Sequence, residues 1–314
     1  MTVGPEGTPW AEMATAISQR VDRATAGKVN PRSALGGAFG DEVVTAKQCA
    51  AGGRILFWGG SAAALATVVP ELEALEIPFL FNDDAEVDAV LSGPALPALR
   101  RVLERHGMQL WGAPTEVGWR SFGGKKPLRT PEDFVGLPVR SQESEIHLDL
   151  WRALGAKPRG VSVIDTLGVL ESGDVVAFDQ SPLFMLATSW SRMITHYTLS
   201  RHIYQPGLIV MCKSGPALLT AAQRAKVLER SVEETKRCTR EVRRLNAEVL
   251  TQLATQGVKV VTPTHAERLA LAAGVTSVRA AFGLRATATT QALLKVIDGA
   301  LRDLRKHAMR ASEP

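Results

Sequence analysis

Apolar residues recur at helical spacing at Met13, Ile17 and Val21, behind a Thr8-Pro9 start with Glu12 in the first turn. That pattern predicts an opening helix that ends near Gly27. A glycine-rich turn, Leu35 to Gly40, leads through Asp41-Glu42 into a second helix, and Gly52-Gly53 then introduce a short apolar strand, Arg54 to Trp58. Val68 to Ile77, Asp84 to Leu91 and Leu96 to His106 read as helices, the last closed by Gly107 and followed by a strand over Met108 to Gly112. Short strands alternating with helices are the rhythm of an α/β fold.

The segment Lys126 to Arg140 carries the densest local signals. Thr130 caps a helix, Pro131 takes its first position, Glu132 and Asp133 suit the positive helix end, and Gly136 stops it, so that Leu137 to Arg140 runs as a strand. Beyond it the pattern predicts a helix over Ile146 to Leu154, a strand at Val161 to Val163, a helix at Thr166 to Glu171 and a strand at Val175 to Phe178. From Pro216 to Gln256 there is no internal Pro or Gly, and Leu218, Val227, Val232, Val242, Leu245, Val249 and Leu253 form a sparse apolar stripe. One helix of roughly 60 Å, long enough to cross two domains, is the simplest reading. A strand at Val258 to Val261 and helices at Thr264 to Ala273 and about Thr287 to Lys306 complete the chain.

Composition narrows the class. At 314 residues, 45% hydrophobic and 22% charged, the chain suits two domains or one large α/β domain, and disorder and disulfide-scaffold miniproteins are excluded. The net charge of +5 is dispersed, and the basic stretch from Lys236 to Arg244 is interrupted by Glu241 and preceded by Glu233 and Glu234, so no nucleic-acid partner is indicated. Ile55 to Val69, broken by Gly59, Gly60 and Ser61, is too interrupted for a membrane span. Cys49, Cys212 and Cys238 fit buried apolar positions better than a disulfide framework, with one bridged pair at most.

No dinucleotide, P-loop, zinc-protease, Cys-x-x-Cys or nucleophile-elbow motif is present, and the six histidines lack metal-ligand spacing, so neither a cofactor nor a metal is indicated. What stands out is a set of Arg and Trp residues near strand ends: Trp10, Trp58, Trp119, Arg120 and Arg140. Ligands of open α/β sheets gather beyond the carboxyl ends of strands. Arg140 is the best placed, because a guanidinium matches a carboxylate with a planar fork of donors, although a structural ion pair is an equally good account of it. For Trp58, a core position on a buried strand competes with a place in the site.

Pro5 to Trp10, Leu35-Gly-Gly with Gly40-Asp-Glu, Val69-Pro-Glu-Leu with Ile77-Pro-Phe-Leu-Phe, Gly118-Trp-Arg-Ser-Phe, Lys126 to Arg140 and Trp151 to Ala156 occur in one order. Together, from residue 2 to about residue 262, they resemble the substrate-binding proteins of tripartite ATP-independent periplasmic (TRAP) transporters, of the dicarboxylate-receptor type. The resemblance implies a periplasmic binding-protein fold: two α/β domains, an interdomain ligand cleft, and a long helix backing both. It implies one domain from residues 1–118 and about 206–257, and a second from 119–205 and about 258–314.

By the same resemblance Arg140 binds the ligand carboxylate and Arg120 lies near a second polar group of the ligand. Asp179-Gln180-Ser181-Pro182 matches the segment where many members carry an Asn before Pro, the Gln180-Ser181 pair being a departure, and Trp58 replaces a small residue. Trp10, Trp58, Trp119 and Phe122 would give the pocket an apolar part, and Gln142, Asp179, Gln180 and Tyr204 its hydrogen bonds. The implied ligand is a small organic carboxylate, a keto or hydroxy acid or an apolar monocarboxylate before a sugar acid. The implied partners are the membrane subunits of the transporter, and the implied location is the periplasm, with the export signal removed. An enzyme acting on a carboxylate in the same cleft is the alternative from another class, and an ABC-type receptor is a second, disfavoured by the helix from Pro216.

Overall fold

Two long strands carry the architecture in the computed structural model, which describes residues 1–311. The strands are β1 Phe57–Ser61, β2 Gln109–Leu110, β3 Thr115–Gly124, β4 Pro138–Ser141, β5 Lys157–Gly160, β6 Ala177–Gln180, β7 His196–Met211 and β8 Lys259–Val261. They form one mixed sheet in the order β1-β7-β3-β6-β4-β5, with β2 and β8 also paired to β7. β3 and β7 run antiparallel from Thr115↔Gly207 to Gly124↔His196. One end of β7 pairs with β1, Phe57↔Met211 through Ser61↔Gly207, and beyond it β3 passes to β6, Ser121↔Gln180. Two lobes therefore share these two strands, which carry register shifts at Glu116/Gly118 and Arg120/Phe122, where a bulge bends and twists the ribbon.

Helices cover the sheet as an α/β fold requires. The Pro9–Ala24 helix is capped by the Thr8 side chain and buries Met13, Ile17 and Val21. The Glu42–Ala51 helix is capped by Asp41 and closed by Gly52 in the left-handed region (φ 78). Thr130 and Asp133 form a reciprocal cap on the short helix Pro131–Phe134, which feeds β4 as the spacing predicts.

Several expectations need correction. The run from Pro216 to Gln256 is three helices, Gly215–Leu218, Ala221–Leu228 and Ser231–Thr255. A capping box between Thr220 and Gln223 starts a helix afresh, and Arg230 turns left-handed (φ 61), while Arg20 donates to the Val227 and Glu229 carbonyls freed there. The remaining 25-residue helix, roughly 37 Å long, still reaches from the Pro9–Ala24 helix to β8 and the Pro182–Ala187 helix.

The strand expected at Val161 to Val163 lies earlier, at Lys157–Gly160, because the Val161 carbonyl is taken by the Arg140 side chain. Val68 to Ile77 holds a tight 3-10 helix, Pro70–Glu76, and the Thr276–Arg285 helix is an addition. The C-terminal helix Ala288–Ala311 packs on Pro70–Glu76, Asp84–Leu91 and Ala95–Arg105.

One cysteine pair is bridged, the most that the sequence allowed. Cys49 and Cys212 are disulfide-bonded with Cα atoms 4.8 Å apart, and Cys238 is free and buried. The bridge ties the Glu42–Ala51 helix to the residue after β7 and closes a separation of 163 residues. Chain entropy gives roughly 5 kcal/mol for so long a loop, against the typical 2–4 kcal/mol for disulfides. Urea unfolding of the oxidised protein and of a Cys49→Ser, Cys212→Ser double variant should therefore differ by at least about 2 kcal/mol, and dithiothreitol should bring the native protein down to the variant. Equal midpoints for all three would show that the bridge contributes nothing.

Candidate ligand-binding cleft

Three strands deliver polar residues to one point. β1 ends at Ser61, which also caps the Ala62–Ala66 helix, β4 ends at Arg140 and Ser141 with Gln142 next, and β6 ends at Gln180. With Gln205 of β7 and Glu42 these residues line a cavity whose other wall is Val3, Trp10, Val117, Val163, Leu183, Phe184 and Val242. Its volume is about 50 Å³, a few times the ~10–15 Å³ that one water needs, so the lobes as they stand hold only a small occupant.

Arg140 is 1% exposed. Its Nε and Nη2 donate to the Val161 carbonyl at 3.0 and 2.8 Å, its guanidinium carbon lies 5.0 Å from the centre of the Trp190 ring, and its Nη1 has no partner. No carboxylate among the described residues pairs with it, so the structural ion pair that competed with a ligand role is absent. Burial, helped by the Arg120 charge, lowers its pKa to about 10. A buried cation held by a neutral carbonyl, with one donor face open to a cavity, is a ready anion site.

Arg120 lies behind the cavity and is fully satisfied. Its Nε donates to Asp179 Oδ2 at 2.5 Å and its Nη2 to the Asp179 carbonyl at 2.6 Å. Nη1 faces the amide oxygens of Gln205, Gln142 and Gln180 at 2.8, 3.2 and 3.3 Å. Burial works against the Asp179 charge, but Arg120 and a hydrogen bond from His202 hold that carboxyl well below its usual range. Burial drives His202 the other way, down to about 4, so it is neutral. The glutamines continue the network. Gln205 Nε2 donates to Gln142 Oε1 and Glu76 Oε2, both at 2.8 Å, and Gln142 Nε2 donates to Ser61 Oγ at 2.9 Å.

The cleft thus gathers Trp10, Arg140, Gln142 and Gln180 from the expected set. Trp10 lies flat against Gly207, where a Cβ would come within 2.1 Å of the indole, and its Nε1 donates to the Glu116 carbonyl. Trp58 is not in the site. It is fully buried in the core with Nε1 on Thr45 Oγ1, because Gly60 leaves its ring room to lie against the strand. Trp119 and Tyr204 form a separate aromatic pair, bonded to Asp84 and Glu116, since their side chains leave β3 and β7 away from the cavity. Asp179 serves Arg120, and Arg120 reaches the cavity only through the glutamines.

Sequence reasoning missed Glu42, Ser61 and Gln205. Ser61 and Gln205 are polar residues in otherwise apolar strands, which is a usable signal, whereas Glu42 reads as a first-turn helix acid. Glu42 accepts from the Ser61 N–H at 2.7 Å and the Ser61 hydroxyl at 2.8 Å. Burial raises its pKa to about 7, against the pull of those two bonds.

Comparison with known proteins places this geometry. The family model described as "Bacterial extracellular solute-binding protein, family 7" matches residues 1–283. A solute-binding protein of Verminephrobacter eiseniae is 24% identical over 246 residues, 78% of this chain and 73% of that protein. The 2,3-diketo-L-gulonate-binding periplasmic protein YiaO of Escherichia coli is 26% identical over 196 residues, 59% of this chain and 60% of that protein. Among solved structures, a TRAP periplasmic solute-binding protein of Ralstonia eutropha with bound (S)-2-acetolactate superposes with a TM-score of 0.88 at 24% identity, covering 96% of this chain and 97% of that one.

Removing the Arg120 charge leaves Asp179 buried and alone, so Arg120→Met should cost about 3–5 kcal/mol of stability. Arg140→Met should cost clearly less in the same urea titration, since no carboxylate loses its partner; equal losses would refute the division of roles. Glu42 supplies a second check. A carboxyl whose pKa is higher folded than unfolded favours folding below its ordinary 4.5 and loses that contribution as pH rises through about 7. Glu42→Gln should therefore gain stability on the native protein between pH 5 and pH 8, and a difference that does not change with pH would contradict the raised value.

Proposed function

The chain belongs to the bacterial extracellular solute-binding proteins of family 7, and from that membership we propose that it captures a small organic carboxylate in the cleft, with Arg140 as the clamp, and passes it unchanged to TRAP membrane subunits. The observation that carries the proposal is the unpartnered Nη1 of a buried, unpaired Arg140. Two of the guanidinium's nitrogens already hold the Val161 carbonyl, which fixes the plane of the fork before a ligand arrives. A carboxylate laid against Nη1 replaces bulk water with charge-assisted hydrogen bonds in a site largely shut from solvent, where such bonds are worth more.

Arg120 acts as a positioning residue, orienting the Gln142, Gln180 and Gln205 amides toward the ligand. Trp10, Val117, Leu183 and Phe184 favour an apolar remainder on the ligand over a ring of hydroxyls. The family's members work outside the cytoplasm, and the periplasmic location agrees with a disulfide that persists in oxidising compartments. The division we propose joins residues 1–118, about 206–257 and the final helix in one lobe, and residues 119–205 with the Lys259–Val261 strand in the other.

A thermal-shift screen of organic acids followed by calorimetry tests the clamp. Arg140→Lys keeps the charge but loses the fork, so binding should weaken by about 1.5–3 kcal/mol, roughly 10- to 150-fold in Kd. The ligand recovered after incubation should be chemically unchanged. Undiminished binding by Arg140→Lys would remove Arg140 from the site, and sustained product formation would replace a receptor with an enzyme.

A further inference from the structure

The cleft holds an unpaired acid as well as an unpaired base. Glu42 lines the same cavity as Arg140, is 7% exposed, and forms no ion pair with any Lys, Arg or His among the described residues. Among the described residues its only hydrogen-bond donors are the Ser61 N–H and hydroxyl. Gly60 makes room for it, since a Cβ there would stand 2.4 Å from Glu42 Oε1. The nearest charged neighbours worsen its position, because Asp41 and Glu76 are both acids. Those two are themselves engaged, Asp41 with the Val163 N–H and Glu76 with the Ala63 N–H and His147.

A bare buried carboxyl and a bare buried guanidinium on the wall of one small cavity are each costly to keep in the absence of a counter-charge. They do not neutralise one another by contact, so the natural complement is one molecule that carries both opposite charges. We infer that the ligand is a small zwitterion, an amino-acid-like solute whose carboxylate meets Arg140 and whose protonated nitrogen meets Glu42. The inference rests on the carboxylate reading above and adds the second charge. A dicarboxylate would set its second anion against Glu42, and like charges brought together in a closed site discriminate strongly. A hydroxy acid would satisfy Arg140 and could donate its hydroxyl to Glu42 but would bring no counter-charge, and a keto acid would bring neither donor nor charge. The apolar wall of Val3, Trp10 and Phe184 would then take an aliphatic side chain or N-methyl groups.

The test is calorimetry on matched pairs that share one carbon skeleton: α-, β- and γ-amino acids and their N-methylated betaines, each against the corresponding hydroxy acid, with succinate as the dicarboxylate. At least one zwitterion should bind ten-fold or more tighter than its hydroxy-acid twin and than succinate. Glu42→Gln should cut that preference at least ten-fold, while Glu42→Asp, which keeps the charge, should retain most of it; circular dichroism checks that both variants fold. If hydroxy acids or succinate bind more tightly than every zwitterion, or if the preference survives Glu42→Gln, the inference is overturned while an Arg140-dependent carboxylate receptor stands. If no carboxylate of any kind binds, both readings fall.

Discussion

The Arg120–Asp179 pair is the interaction on which the rest of the cleft depends. Both side chains are wholly buried, and the pair joins neighbouring strands β3 and β6 at their paired ends. Two charges removed from water repay their desolvation only when every remaining donor is used. Arg120 uses its own through the Asp179 carboxylate and carbonyl and three glutamine oxygens. The glutamines are thus locked with their oxygens turned inward, which leaves their NH₂ groups to face neighbours and the cavity. Asp179 neutralises Arg120 and is thereby unavailable to Arg140. One anion between two buried cations leaves a single positive charge, and it stands at the cavity wall.

Polar bonds cross the cleft beside the apolar core that both sides share. Gln142 reaches Ser61, Gln205 and His147 reach Glu76, and the Val163 N–H reaches Asp41. The loop at Val161 to Val163 touches both walls of the cleft. Its Val161 carbonyl is gripped by Arg140 and its Val163 N–H by Asp41 across the cleft. One loop therefore holds Arg140 through Val161 and touches the opposite wall through Val163.

How far the sequence could be read follows the same division between apolar and polar. Helices with capped starts and an amphipathic face, such as Pro9–Ala24 and Asp84–Leu91, are legible because both cap and stripe are local. β3 and β7, the strands that matter most, are not, because they bury Arg120, Ser200, His202 and Gln205 and carry Pro206 and Gly207 mid-strand. A strand that buries polar residues loses its alternation. Arg140 was legible through its place at the end of a short strand, while its lack of a carboxylate partner is a three-dimensional fact. The break at Arg230 and the Cys49–Cys212 bridge are likewise matters of what lies nearby in space, with Arg20 and Cys212 both far away in sequence.

Trp58 shows how a residue can shape a pocket that it does not touch. Its indole fills the core behind β1 and lies where a Gly60 side chain would be, 2.7 Å from the position of that Cβ. Gly60 must therefore stay bare, and the space on its cleft side passes to the Glu42 carboxyl, which anchors on Ser61 one residue further along. A smaller core residue at 58 would still leave the Glu42 carboxyl 2.4 Å from that Cβ position and would open a void in the core, at a cost of roughly 3–5 kcal/mol for a buried Trp cut to Ala. Bulk in the core and the acid in the cleft thus meet at a single glycine: Trp58 and Glu42 both stand where a Gly60 side chain would be.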